Sequence, residues 1–259
     1  MSTIVEKATE LRRLHEAPEL LLVVNVWDAV TATVVANTPG TKALATASHS
    51  IAASRGYEDG EKIPRDLMIA EVGLIARAAG DLPVTADLEA GYGDAGGTIA
   101  RAIDVGVVGA NLEDQVKPLA DSVRAVEAAV AAADRAGVPF ALNARTDVFL
   151  RAGGRDPEDV LADAITRGRA YLDAGATSFF APGLLDETTV GRLVEALGEQ
   201  KVNLIGIPGS IPLDAARRIG VARVSYGPWS QNVALTALAS LAEDVYRGGG
   251  LPEGTRKHN

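Results

Sequence analysis

The chain has no cysteine, which excludes disulfides, thiolate metal centres and a cysteine nucleophile, and which fits a reducing compartment. It is short of basic charge: the formal net charge is −9. Nucleic acid and anionic membrane surfaces are therefore excluded as main partners, since both select a basic surface. A small anionic substrate remains compatible, provided that local cations or a metal receive it. Long apolar runs are missing too. Stretches such as Leu20 to Val24 have strand length, far from the roughly 18 apolar residues of a membrane span. The first residues, Met1 to Ala17, read as an amphipathic helix carrying Glu6, Lys7, Glu10, Arg12 and Arg13 without an apolar signal-peptide core, so a cytoplasmic protein is expected.

What the chain does have is a recurring phrase: a helical stretch, a glycine stop, then three to six apolar residues. Gly40 precedes Lys42 to Thr46, Gly80 precedes Val84 to Ala86, Gly106 precedes Val107 to Leu112, and Gly137 precedes Phe140 to Leu142. Gly175 then precedes Ser178 to Phe180, Gly198 precedes Val202 to Ile205, and Gly220 precedes Arg223 to Ser225. Glycine accepts the left-handed conformation that ends a helix, so each phrase is a helix-to-strand junction. With the opening strand Leu21 to Asn25, eight strands result. Between them Met68, Val72, Ile75 and Ala79 share one helical face, as do Val123, Val126 and Val130. Asp156-Pro157, Ile63-Pro64 and Asp186 mark helix starts. Eight alternating units with buried-type strands predict a parallel (β/α)8 TIM barrel, with an open doubly wound sheet as the alternative. No linker divides the chain, so residues 1–259 are expected to form one domain. The last helix, about Ser230 to Arg247, is apolar nearly all round, which predicts deeper burial than an outer barrel helix has and self-association as its cause.

Barrel chemistry collects at strand C-termini. The stretch Pro83 to Gly93 places Asp87 and Glu89 where the third strand ends, before a glycine-broken loop. The fourth strand ends in Asn111-Leu112-Glu113-Asp114 and the fifth in Asn143-Ala144-Arg145-Thr146-Asp147. Carboxylates from two adjacent strands suit a hard divalent cation of the Mg²⁺ type; salt bridging among Asp87, Glu89, Glu113 and Arg145 is the alternative. Arg145 is placed to grip a carboxylate or phosphoryl group, or else to pair with Asp147 or Asp114. His49 reads as an acid/base or a hydrogen-bonded spectator, and Trp27 as a pocket wall or core residue. Asn203 on the seventh strand is a further candidate substrate contact. The glycines at 91, 93, 96 and 97 match neither a P-loop nor a dinucleotide fingerprint.

Taken together, Asn25-Val26-Trp27-Asp28-Ala29, Ala52 to Gly60, Thr85 to Gly93, Gly109 to Gln115 and Asn143 to Asp147 resemble the phosphoenolpyruvate mutase/isocitrate lyase superfamily. The resemblance implies a barrel binding Mg²⁺, with Mn²⁺ as the alternative, through Asp87, Glu89 and Glu113, partly by way of water. It implies a small 2-oxo acid or phosphonate as substrate, Asp59 near the reacting group, Arg145 on the anionic end, and an enolpyruvate-like intermediate. It also implies exchange of the last helix in a homodimer or homotetramer.

Departures from the pattern narrow the reaction. Ala47-Ser48 stands where the family often has Ser-Gly at the substrate carboxylate, so those two residues are the expected contacts there. Glu89 replaces the usual aspartate. Gln115 to Ala120 replaces the Lys-Lys/Arg-Cys-Gly-His loop of isocitrate and methylisocitrate lyases, which argues against those two activities, and the lyases' strand-six carboxylate has no counterpart at Ala181-Pro182-Gly183. The expected enzyme makes, breaks or shifts a P–C or C–C bond beside the carbonyl of a small 2-oxo or enolpyruvyl acid, phosphonomutase-like in the leading reading. A C–C lyase, hydrolase or decarboxylase acting on an oxaloacetate-like acid is the alternative, and a non-catalytic metabolite-binding barrel is the alternative of another class.

Overall fold

All seven glycine stops adopt positive φ, from 63° at Gly80 to 101° at Gly198, a region that side chains with a Cβ disfavour. Each turns a finished helix into the next strand. The computed structural model describes residues 2–258 and confirms the alternation. The chain opens with α1 (Ile4–Glu16), β1 (Leu21–Val23), β2 (Asn25–Val26), α2 (Ala29–Ala36), β3 (Leu44–Thr46), α3 (Ser48–Ser54) and α4 (Arg65–Ala78). It continues with β4 (Val84–Asp87), α5 (Ala95–Asp104), β5 (Gly109–Glu113), α6 (Leu119–Ala136), β6 (Ala141–Arg145) and α7 (Pro157–Asp173). It closes with β7 (Ser178–Phe180), α8 (Glu187–Leu197), β8 (Val202–Ile205), α9 (Leu213–Ile219), β9 (Arg223–Ser225) and α10 (Trp229–Tyr246).

The strands form one parallel sheet in the order β1-β9-β8-β7-β6-β5-β4-β3-β2. β1 pairs with β9, while β2 pairs with β3. The opening strand is therefore one stave broken at Val24, each half serving a different neighbour, and the nearly closed barrel has eight staves although nine strands are counted. Strand tilt explains the break, because a tilted stave meets its two neighbours at different heights along the barrel axis.

The core is the barrel and its helix coat. Met68, Val72 and Ile75 of α4 are fully buried, as the periodicity predicts. Asp156 and Asp186 cap α7 and α8, with Pro157 in the first turn of α7. At the N-terminal end of the barrel α1 acts as a plug: a Cβ on Gly109 would lie 2.7 Å from Leu11 Cδ2 and 2.9 Å from the Ala141 carbonyl oxygen, a backbone atom that cannot move aside.

The last helix is not buried by its own chain. Only Gln231 of α10 is buried, whereas Val233, Leu235 and Leu238 are 70%, 52% and 60% exposed. Within one chain α10 stands off the barrel, and its apolar surface has no intrachain cover. Among the described residues no helix is long and apolar enough to cross a membrane.

Candidate active site

At the C-terminal end of the barrel lies a cavity of about 290 Å³, walled on one side by Asn25, Ser48, Asp59, Asp87, Asn111 and Arg145. Asp87 ends β4. Its amide donates to Thr46 Oγ1 (3.0 Å), and its Oδ2 accepts from the Ser48 hydroxyl (2.7 Å) and amide (3.2 Å). Ala47 and Ser48, expected at a substrate carboxylate, do line this cavity, and Ser48 already orients Asp87. Asp59 and His49 are exposed at its mouth.

Glu89 and Glu113 stand behind that wall. Glu89 has φ 52° and is 2% exposed. Its carboxylate accepts from the Glu61 amide and from the Tyr92 hydroxyl (3.3 Å), and Glu61 in turn accepts from the Tyr92 amide at 2.5 Å. Glu61 and Tyr92 also hold positive φ, an accumulation of backbone strain that functional sites tolerate. Burial first, then the charges of Asp87, Asp59 and Glu61, pushes the Glu89 carboxyl up to about 7. Burial likewise pushes Glu113 up to about 8, with Asp147, Asp87 and Glu89 adding to it and Arg145 opposing. Among the described residues no three His, Cys, Asp or Glu side chains converge closely enough to hold one metal ion. The donor chemistry nevertheless suits a hard cation, because the cluster is all oxygen and the neighbouring acids disfavour the charge on Glu89 and Glu113.

Arg145 ends β6 with Glu113 directly opposite on β5. Its guanidinium meets Glu113 Oε2 at 2.9 Å and Asp147 Oδ1 at 2.8 Å. Burial works against its charge, but Glu113, Asp87 and Asp147 outweigh it and hold the arginine above its ordinary pKa. Both readings of Arg145 thus meet in one place, since it lines the cavity while paired from behind. Asp114 is not its partner. That buried carboxylate accepts from Thr146 Oγ1 (2.7 Å), Tyr171 Oη (2.7 Å), Arg167 Nη1 (3.1 Å) and the Val116 and Asp147 amides (2.8 and 3.1 Å), and so pins the turn that carries Arg145 and Asp147.

Two expected contacts lie elsewhere. Trp27 is half-buried against the core and does not line the cavity; the tryptophan that does is Trp229, at the start of α10. Asn203 is fully buried one layer deeper, donating to Asn143 Oδ1 (2.7 Å) and Ser178 Oγ (2.8 Å). Barrel shear is the reason. Cα register runs from Arg145 to Phe180 to Asn203 to Arg223, and in a tilted-strand barrel such a row descends along the axis. Sequence reading also missed Thr46 and Glu61, and the apolar wall contributed by Leu150, Phe180, Pro182, Ile205, Ile207 and Trp229. Polar character at strand ends is the signal a sequence offers, and apolar strand ends carry none.

The comparisons with known proteins agree with this geometry. Residues 11–246 match the family model for phosphoenolpyruvate phosphomutase. A Burkholderia cenocepacia J2315 crystal structure, provisionally named a phosphonomutase, is 40% identical and superposes with a TM-score of 0.87 over 95% of this chain and 100% of its own. A protein of Mycobacterium tuberculosis is 31% identical over 241 residues, covering 92% of this chain and 90% of that relative. The crystal structure of 2,3-dimethylmalate lyase is 27% identical with a TM-score of 0.85, over 99% of this chain and 93% of that one. A barrel whose strand ends carry Asp87, Glu113 and Arg145, matched along nearly its whole length, belongs to the phosphoenolpyruvate mutase/isocitrate lyase superfamily.

Proposed function

We propose that this protein is a divalent-metal-dependent enzyme that makes, breaks or shifts a C–C or P–C bond beside the carbonyl of a small 2-oxo or enolpyruvyl acid, by way of an enolpyruvate-like intermediate. One observation carries the reading. Asp87, held by Ser48, and Arg145, held by Glu113 and Asp147, face the same cavity at the strand C-termini.

Asp87, Glu89 and Glu113 would hold Mg²⁺ or Mn²⁺, partly by way of water. When bound, such an ion would supply Lewis-acid stabilisation of negative charge developing on the oxo oxygen. Arg145 attracts and orients the anionic end of the substrate. Its two carboxylate partners fix the guanidinium plane, so little freedom is lost on binding. Asp59, exposed at the mouth, would move a proton at the reacting carbon once the loop carrying it covers the ligand. The phosphoenolpyruvate phosphomutase family match favours a phosphonomutase-like reaction, and the likeness to a lyase of 2,3-dimethylmalate favours C–C cleavage. The apolar surface of α10 supports a homodimer or homotetramer, and the absence of cysteine supports a cytoplasmic setting.

The test is calorimetric titration of oxalate, a mimic of the pyruvate enolate, with Mg²⁺ and with the metal chelated. Metal-dependent binding that disappears in Asp87→Ala is the expected result. Equal binding with and without metal would overturn the reading in favour of a non-catalytic binding barrel, and no binding at all would overturn it outright.

A further inference from the structure

The cavity has two chemically different walls, and the reading above uses only one. Beside Arg145, whose register partner on β7 is Phe180, the lining turns apolar, with Leu150, Phe180, Pro182, Ile205, Ile207 and Trp229. They come from the ends of β7 and β8, the turn after β6 and the first residue of α10. This wall brings no lysine, arginine or histidine to the cavity. Arg145 is the one guanidinium in the lining among the described residues, and its charge already faces Glu113 and Asp147.

A phosphonate or a second carboxylate pressed on such a surface would give up its water without gaining a cation, which is costly for an ion. A hydrocarbon group would gain there. Two of these side chains, Leu150 and Trp229, are 55% and 39% exposed at the mouth, so a ligand reaching them would cover apolar surface that the chain alone leaves in water. There is room for it. About 290 Å³ corresponds to roughly ten water volumes, more than an oxalate-like head fills.

We propose that the substrate is a 2-oxo acid whose far end is an uncharged hydrocarbon group, a short branched chain or one ring, lying against Phe180, Ile205 and Ile207. The inference rests on the reading of the polar wall given above and selects its C–C branch over its P–C branch.

Calorimetry on the full-length, Mg²⁺-loaded protein tests it, with oxalate as the reference ligand. The series runs from pyruvate through 2-oxobutanoate, 2-oxopentanoate and 4-methyl-2-oxopentanoate to phenylpyruvate, set against 2-oxoglutarate and phosphonopyruvate. Affinity should rise about fourfold for each methylene that becomes buried. 2-Oxopentanoate should bind at least tenfold more tightly than 2-oxoglutarate, which has the same five carbons with a carboxylate in place of the terminal methyl. In Leu150→Asp and Ile207→Asp, substitutions at positions that are not buried, the dependence on chain length should flatten or reverse. A flat series in the unaltered protein with oxalate still binding would overturn this inference alone, as would tighter binding of 2-oxoglutarate or phosphonopyruvate. Failure of oxalate itself to bind would overturn this inference and the underlying reading together.

Discussion

Glu113 and Arg145 are register partners on β5 and β6, and their side chains meet at 2.9 Å over the barrel mouth. Asp147, two residues beyond, closes on the same guanidinium from the other side at 2.8 Å. The arginine is thereby aimed by backbone pairing and a single turn. A lysine at this position would keep the charge but could not present a planar fork to two carboxylates.

Arg145→Lys should therefore weaken oxalate binding roughly 10- to 100-fold, the loss associated with a charge-assisted hydrogen bond, while the protein stays folded. Isothermal titration beside circular dichroism checks both parts. An affinity within twofold of the unaltered protein would mean that the guanidinium serves only its neighbours.

Asp114 has a different task, although it adjoins Glu113 in sequence. Its carboxylate collects two hydroxyls, two amides and the buried guanidinium of Arg167. Asp114→Ala would leave Arg167 with Asp163 (2.9 Å) and the Lys117 carbonyl (3.0 Å) but would strip two hydroxyls and two amides of their buried acceptor, which costs on the order of 3 kcal/mol. Urea denaturation should show that loss, with Asp114→Asn closer to the unaltered protein because the amide oxygen still accepts. A loss under about 1 kcal/mol in the alanine variant would refute the anchoring role, since surface substitutions stay in that range.

His15 gives the pH dependence of the barrel floor. Its ring is buried, with Nδ1 donating to the Leu11 carbonyl at 2.9 Å and Nε2 unpartnered. Burial first, then the charge of Arg223, lowers its pKa to about 3. The native chain thus stays neutral here while the unfolded chain takes up a proton below about pH 6.5. The unfolded state then binds more protons, so stability rises with pH across this window and is lost as pH falls through it. Between pH 6 and 4 the stability difference between the unaltered protein and His15→Gln should change by about 1.4 kcal/mol per pH unit, one proton's worth. A pH-independent difference would mean that His15 titrates alike in both states.

The residues that punctuate the fold were also the ones legible in the sequence. Seven glycine stops, the Asp156-Pro157 start and the α4 stripe each have one local cause, a backbone conformation or a helical period. They are visible without neighbours. Asp87, Glu113 and Arg145 were legible because strand ends in a barrel share one rim. Asn203 was not, because its depth depends on how far register drifts over β6, β7 and β8, a property of the closed sheet. The apolar wall and the Asp114 anchor were illegible for a related reason, as Phe180 and Ile207 look like core residues and Arg167 lies 53 positions from Asp114. Trp27 and Trp229 changed places because α10 returns to the mouth from the far end of the chain.

That return gives α10 its last consequence. Its first turn is tied to the barrel rim, with Ser230 Oγ donating to the Asn25 carbonyl at 2.6 Å and Gln231 Nε2 to the Ser50 carbonyl at 3.2 Å. Beyond it Val233, Leu235, Leu238 and Val245 face away from their own barrel, an apolar surface of the kind that marks an interface. The homo-oligomer proposed above would cover it. Leu235→Asp with Leu238→Asp removes two leucines per subunit that the interface would bury, roughly 6 kcal/mol across a two-fold interface at about 1.5 kcal/mol each. The dissociation constant should rise by about four orders of magnitude. Sedimentation at micromolar concentration should then show the unaltered chain as a dimer or tetramer and the double variant as a monomer. Because Trp229 lines the cavity and begins the same helix, the monomer should also bind phenylpyruvate more weakly. An unaltered chain that sediments as a monomer would leave α10 without a partner of its own kind and refute the oligomer.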